Sequence, residues 1–214
     1  ERSSLFNTIS EWSAPSINMS EALIEIEYKL PIGDVAAVER LFREVCGGTC
    51  ECVQDQCDTY FECEGKDFAK SDEALRMRVA SVNGGETVSD ITYKGPQMQS
   101  DSKAKIRLEH VCGILDPAQL TLVLGALGYT PGTIVRKRRA VWHLKWEGLD
   151  VEGCIDRVDG LDQDWLELEC CVPPVKRQET EAALTALMGR MGLSVSDAVR
   201  TPYIAMLRAQ TENR

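Results

Sequence analysis

The segment "EALIEIEYKLP", residues 21–31, carries the most informative pattern in the sequence. Glu25, Glu27 and Lys29 alternate in this stretch with apolar residues. A period of two places successive side chains on opposite faces of a β-strand. The stretch therefore predicts a strand with one charged face and one apolar face.

Charged strands of this kind recur along the chain. The further charged positions are Arg76 and Arg78, Lys94, Arg107 and Glu109, Lys137 and Arg139, and Glu167 and Glu169. In "VRKRR" the phase is ambiguous, because Arg136 and Arg138 occupy the opposite face. One charged strand is typical of a solvent-exposed sheet face. Several of them, with apolar faces packed against helices, predict a barrel with a polar interior.

Buried charges of both signs need compensation, because like charges repel strongly when they are removed from water. A polyphosphate compensates arginine and lysine side chains, and a divalent cation compensates glutamates. The pattern therefore indicates a site that holds both together.

The order of elements predicts an α+β fold. A strand, a helix and several strands occur twice, beginning at Glu25 and again near Arg107. This order favours an antiparallel sheet or barrel of about eight strands, flanked by helices. Helices are expected after the N-caps Asp34 and Asp116, and a Cys/Gly-rich loop is expected before a strand that begins at Cys57.

Composition narrows the class of protein. The formal net charge of -10 argues against a nucleic-acid partner, and the absence of a long apolar run argues against a membrane span. Nine cysteines, an odd number without paired zinc-knuckle spacing, favour reduced thiols in a cytoplasmic protein. Residues 1–20 lack periodicity and are expected to form a flexible arm before a domain at 21–214. A monomer and a homodimer both stay open.

Several stretches together resemble the CYTH superfamily, the triphosphate tunnel metalloenzymes. "EIEYK" is similar to its ExExK motif, and "DTYFECEGKDFAKSDEALRMR" resembles its TYF block and LRxR strand. "ITYKGP", "VRKRRAVW" and "IDRVDGLDQDWLELE" follow in the family's order. The resemblance covers residues 22–170, and "TPYIAML" is similar to the tail of the class IV adenylate cyclase branch.

The resemblance implies an eight-stranded antiparallel β-barrel that holds a triphosphate. The implied ligands of Mg²⁺ or Mn²⁺ are Glu25, Glu27, Glu109, Asp156, Glu167 and Glu169. The implied phosphate-binding residues are Arg76, Arg78, Lys137 and Arg139, with Lys29 and Lys94 as catalytic cations. Arg107 and Arg157 occupy positions where the resemblance implies acidic residues, and Lys105 one where it implies an arginine.

The resemblance implies a reaction on ATP or another triphosphate. The favoured reaction is the conversion of ATP to cyclic AMP and pyrophosphate. The alternatives are hydrolysis of thiamine triphosphate, inorganic triphosphate or a nucleotide, and non-catalytic binding of a polyphosphate or nucleotide.

Overall fold

The computed structural model describes residues 23–212. Its strands are β1 (Ile24–Ile32), β2 (Thr49–Cys63), β3 (Ala74–Val82), β4 (Thr87–Lys94), β5 (Lys105–Gly113), β6 (Tyr129–Trp146), β7 (Leu149–Val158) and β8 (Asp164–Val172). Its α-helices are α1 (Val35–Cys46), α2 (Pro117–Ala126), α3 (Arg177–Arg190) and α4 (Tyr203–Glu212), and short 3-10 helices lie at Pro174–Lys176 and Val195–Asp197. The predicted flexible arm, residues 1–20, lies outside the described residues.

The strands close into an antiparallel barrel in the order β1-β5-β4-β3-β2-β6-β7-β8. Strand β1 completes the closure, since it pairs with β5 on one side and β8 on the other. Glu27 lies opposite Lys105 in the first pairing and opposite Glu169 in the second. The predicted α+β fold, an eight-stranded antiparallel barrel flanked by helices, is therefore confirmed.

The apolar faces of the strands pack outward against helices. Ile26, Tyr28 and Leu30 of β1 are buried in one cluster with residues of α1 and α3. Phe42 of α1 packs on Trp142, with ring centroids 5.5 Å apart. This packing turns the opposite face of β1, which carries its charged residues, into the barrel.

Helix α1 approaches the barrel closely at Gly153. A Cβ atom at this position would lie 2.7 Å from Phe42 Cζ and 2.8 Å from Leu144 Cδ1. Any larger residue would therefore separate the helix from strand β7. Gly153 thus sets the depth at which Phe42 enters the core.

Helices α1 and α2 begin at the expected caps. The Asp34 side chain accepts a hydrogen bond from Ala37 N, and the Asp116 side chain accepts one from Gln119 N. These bonds satisfy backbone N–H groups that have no partner inside the first helical turn. Helix α2 ends at Ala126, two residues before the Gly128 stop expected from the sequence.

The expected Cys/Gly-rich loop is largely wrong. Strand β2 begins at Thr49 instead of Cys57 and pairs with β6 along its length, apart from register shifts between Cys50 and Cys52 and between Thr59 and Phe61. Local propensity is weak here, because the segment is polar and rich in cysteine. Pairing with the long strand β6 supplies the hydrogen bonds that make it a strand. All nine cysteines are free thiols.

No helix within residues 23–212 has the length and apolar character needed to cross a membrane.

Candidate functional site

The inward faces of the strands enclose a cavity of about 940 Å³. Strand alternation determines which side chains reach it, and it resolves the ambiguous phase of β6. Lys137 and Arg139 face the cavity, whereas Arg136 and Arg138 are exposed outside. Every predicted site residue lines the cavity except Asp156.

Lys29 bridges two glutamates on the wall formed by β1 and β8. Its Nζ lies 3.2 Å from Glu27 Oε1 and 3.1 Å from Glu167 Oε1. Lys105 of β5 donates to the other oxygen of Glu27. Burial opposes the charge on Lys29, but Glu27 and Glu167 outweigh burial and raise its pKa above the ordinary value. Lys29 is therefore held as an ammonium ion.

Asp156 does not line the cavity itself, but it holds two of the cavity's cations in place. Its carboxylate accepts from Arg139 Nε at 2.7 Å, Arg139 Nη2 at 2.6 Å and Lys137 Nζ at 2.9 Å. The Tyr203 hydroxyl of α4 donates to the same carboxylate at 3.0 Å. Burial raises the pKa of Asp156, and Arg139 and Lys137 more than offset this, so that its pKa is lowered. Asp156 is completely buried in this network.

Two aspartates that the sequence interpretation missed hold the arginines of β3. Asp58 accepts a forked pair of hydrogen bonds from Arg78, at 2.6 and 2.7 Å. Arg76 donates to Asp90 at 3.2 Å and to Thr92 at 2.8 Å. The strand pairing places Asp58 directly opposite Arg78 of β3. The alternation of side chains along "CDTYF" was the sequence signal that could have placed Asp58 on an inward face.

Lys94, Glu25 and Glu109 form a second group of charges. Lys94 donates to Glu109, and both glutamates help to raise its pKa against the effect of burial. Burial opposes ionisation of Glu25, but Lys94 and Lys105 outweigh it and lower the pKa of Glu25 to about 2. The pKa of Glu109 is raised by burial and by the charge on Glu25. Glu25 thus carries the negative charge of this pair.

The acidic groups of the cavity fit a divalent cation. Glu27 Oε1 is buried and accepts no hydrogen bond within the described chain. Burial and the neighbouring Glu25 raise the pKa of Glu169 well above the ordinary value. Glu27 Oε1 already lies 3.2 Å from the Lys29 ammonium, so the raised pKa of Glu169 is the observation that indicates a carboxylate without enough compensating positive charge, which a hard cation supplies.

A further acidic residue, Glu152, was missed from the sequence. Glu152, Cys154 and Glu169 each place a potential metal-ligand atom within 4.8 Å of the others. Glu152 lies opposite Glu169 in the β7–β8 pairing, two positions along β7 from Cys154. The same period of two that identified the other acidic residues would have found it.

The three basic residues at unusual positions have different surroundings. Lys105 pairs with Glu27 inside the cavity. Arg157 is exposed and donates to the Asp162 carbonyl, so it lies outside the cavity. Arg107 lines the cavity and is 4% exposed. Lys105 keeps the charge of the arginine that the resemblance implies, and Arg157 lies outside the cavity, so of the three residues only Arg107 changes the charge of the site.

Part of the cavity is apolar. The side chains of this part belong to the end of β2, the loop 64–73, the start of β3 and the start of α4: Phe61, Phe68, Ala69, Ala74, Leu75, Pro202, Ile204 and Ala205. Phe68 stacks on Tyr129 with centroids 6.5 Å apart. The Tyr203 ring lies 4.1 Å from Lys29 Nζ and 5.1 Å from Lys137 Nζ, where the charged and apolar parts meet. The cavity can therefore hold an anionic group and an uncharged organic group together.

Comparison with known proteins agrees with this geometry. Residues 23–203 match the CYTH domain family. A Methanocaldococcus jannaschii protein, provisionally named an adenylate cyclase, is 27% identical over 185 residues, which cover 86% of this chain and 98% of the relative.

Solved structures share the fold. The PH1819 protein from Pyrococcus horikoshii OT3 is 27% identical, with a TM-score of 0.74 over 87% of this chain and 99% of that one. A provisionally named adenylate cyclase from Vibrio parahaemolyticus is 16% identical, with a TM-score of 0.72 over 88% of this chain and 99% of that one. On the family match, which spans most of its length, this chain belongs to the CYTH domain family.

Proposed function

We propose that this protein is a metal-dependent enzyme that acts on a nucleoside triphosphate, with ATP converted to cyclic AMP and pyrophosphate. The observation that supports it most strongly is that one cavity has three kinds of lining. These are a cation clamp on β3 and β6 (Arg76, Arg78, Lys137 and Arg139), a set of buried carboxylates, and the apolar section around Phe68 and Leu75. These three surfaces correspond to the three parts of a metal–nucleotide complex.

The phosphates are bound by Arg76, Arg78, Lys137 and Arg139. Guanidinium groups offer forked hydrogen bonds to phosphate oxygens, and ammonium groups act as compact point charges. Lys29 and Lys94, whose pKa values are raised, stay protonated and stabilise the charge that develops on phosphate oxygens. Neither lysine is suited to act as a general base.

Glu25, Glu27, Glu167 and Glu169 are the proposed ligands of Mg²⁺ or Mn²⁺. Such an ion, when bound, would supply Lewis-acid stabilisation of the charge on the phosphate group. Asp156 does not line the cavity and contributes by holding Arg139 and Lys137. Glu109 is proposed as a further acidic contact near Lys94.

The apolar section favours an organic triphosphate over inorganic triphosphate. A cavity of about 940 Å³ lies within the range of small-molecule sites, which is roughly 300–1,000 Å³. An inorganic triphosphate would leave Phe68, Leu75 and Ile204 without a ligand to cover them. A nucleoside fills that space and brings its ribose 3′-hydroxyl to the α-phosphorus, where attack expels pyrophosphate.

Hydrolysis is the second candidate, and the same clamp serves it. Water would then attack the terminal phosphorus and release orthophosphate. A Hippeastrum protein of this fold, 17% identical, is described as a provisional adenylyl cyclase with dominant triphosphatase activity. Both products must therefore be measured.

The test is product analysis with purified protein and Mg²⁺ or Mn²⁺, offering ATP, thiamine triphosphate and inorganic triphosphate separately. The Glu25→Gln/Glu27→Gln variant should lose at least ~100-fold in turnover, because it removes two charged metal ligands. The matched control is Glu44→Gln/Glu86→Gln, which makes the same charge change at exposed positions and should act as wild type.

Cyclic AMP with pyrophosphate supports the cyclase. Orthophosphate without cyclic AMP assigns a hydrolase instead. If ATP binds but no product forms with either metal, the protein is a binding module and the proposed enzyme function is wrong.

A further inference from the structure

Arg107 is a buried cation of the cavity without a close partner. Its side chain projects from β5 into the cavity and is almost completely removed from solvent. Its Nε and Nη2 atoms are buried and have no hydrogen-bond partner in the part of the chain that the structure describes. The nearest recorded carboxylate is Asp72, 3.7 Å from Nη2 and half exposed.

The neighbouring cations differ from Arg107 in this respect. Arg78 is held by Asp58, Lys105 by Glu27, and Arg139 by Asp156 with further contacts to Glu167 and Glu169. Glu25 lies opposite Arg107 in the β1–β5 pairing, yet no ion pair between the two is recorded among residues 23–212. The carboxylates that hold Arg78, Lys105 and Arg139 are therefore committed to those cations and not to Arg107.

A buried guanidinium without acceptors destabilises the ligand-free protein, because its lost hydration is not replaced. An oxyanion ligand removes this penalty. Planar guanidinium N–H groups match phosphate oxygens especially well, in a forked geometry. A strained or unsatisfied group in a cavity is thus a sign of a ligand contact.

We propose that Arg107 binds a phosphate group of the substrate and forms a phosphate subsite on β5, in addition to the clamp on β3 and β6. This inference rests on the proposed function, since it requires a polyphosphate in the cavity. The same chemistry would also hold the pyrophosphate product or free orthophosphate, so the test separates these ligands by chain length.

The competing explanation is structural: Arg107 holds the loop 64–73 through Asp72. Asp72 provides the matched control, because Asp72→Asn removes that ion pair while it leaves Arg107 in place. Asparagine also tolerates the positive φ of 54° at this position and keeps an oxygen for the Gln97 backbone N–H.

The experiment measures binding of orthophosphate, pyrophosphate, inorganic triphosphate and ATP by calorimetry in EDTA, and KM with Mn²⁺ in parallel. Arg107→Gln should weaken triphosphate and ATP roughly 10- to 100-fold, the loss expected for a charge-assisted pair of hydrogen bonds. Arg107→Lys should lose less, because it keeps the charge without the fork. The shortest of these ligands that Arg107→Gln binds more weakly than wild type shows how many phosphate groups a ligand needs to reach Arg107.

A thermal melt of the ligand-free protein separates the two explanations further. Arg107→Gln should leave the midpoint unchanged or raised, since it removes an uncompensated charge, while it reduces the shift caused by added triphosphate. If Arg107→Gln proves unstable without ligand, Asp72→Asn and Arg107→Lys still decide the question.

Two results overturn the proposal: binding by Arg107→Gln within twofold of wild type, or an equal loss in Asp72→Asn. Failure of wild-type protein to bind or turn over any triphosphate would instead contradict the proposed function itself.

Discussion

Arg139 and Arg107 line the same cavity and are almost equally buried, yet they have opposite surroundings. Arg139 donates to Asp156 and Glu167 and also reaches Glu169 at 3.3 Å. Arg107 has two buried nitrogen atoms without a partner in the described chain. The difference separates a cation that the folded protein already pairs with its own carboxylates from a cation whose N–H groups lack a partner among the described residues.

The two kinds of arginine should respond oppositely to mutation. Removing a partner of a satisfied buried charge costs stability, because the remaining charge stays buried. Removing an unsatisfied charge should cost substrate affinity and leave stability intact. Stability and ligand binding, measured on the same variants, therefore test whether the two arginines differ in this way.

The largest effect is expected for Asp156→Ala. It leaves Arg139 and Lys137 buried without their shared carboxylate, and we expect a loss of about 3–5 kcal/mol in the free energy of unfolding. The measurement is equilibrium unfolding in urea. Asp150→Ala, on the same strand but exposed, should lose under about 1 kcal/mol. A loss below about 1 kcal/mol for Asp156→Ala would show that the Arg139 network does not stabilise the fold.

The sequence predicted the features that depend on alternation along one strand, and it did not predict those that depend on a distant partner. The period of two placed Glu25, Glu27 and Lys29 on one face correctly, because alternation along a strand is local. Whether Lys137 or Arg138 faced inward depended on the pairing of β6 with β2 and β7, which no short stretch contains. The helix caps Asp34 and Asp116 were predicted because a cap bonds only to the next few residues.

The partners of each charge were beyond sequence reasoning. Asp156 was expected to be a metal ligand, and its bonds to Arg139 and Tyr203 join residues 17 and 47 positions away. The same limit applies to Arg107, whose unsatisfied nitrogen atoms emerge only when the surrounding carboxylates are placed. Sequence therefore predicts which charges enter the barrel better than it predicts which of them are neutralised there.

A medium effect with a pH signature is expected at the Asp58–Arg78 pair. Burial raises the pKa of Asp58, but its hydrogen bonds and charge interaction with Arg78 outweigh this and lower it below the ordinary 3.8. The folded pKa thus lies below the unfolded value, so the stabilisation is present above about pH 4 and is lost as pH falls through the folded pKa.

Asp58→Asn should therefore cost about 2 kcal/mol at pH 7, the contribution of hydrogen bonds between charged groups. The difference from wild type should shrink steadily in urea titrations as the pH falls from about 4 to about 2, below the ordinary pKa of an aspartate. A difference that stays constant over this interval would show that Asp58 does not titrate with folding.

The smallest effect is expected at Tyr203, where α4 meets the satisfied side of the cavity. Tyr203→Phe removes the hydrogen bond to Asp156 but keeps the ring over Lys29 and against Trp165. It should cost about 1 kcal/mol of stability and lower kcat several-fold with little change in KM, because Asp156 loses one restraint while the phosphate-binding cations stay.

Tyr203→Leu should cost more, since it also removes the ring from Lys29 and Lys137. Equal effects of the two variants would assign the role of Tyr203 to its hydroxyl alone. A change confined to KM would place Tyr203 among the groups that act on the ligand, together with Arg107 and the phosphate-binding cations of β3 and β6.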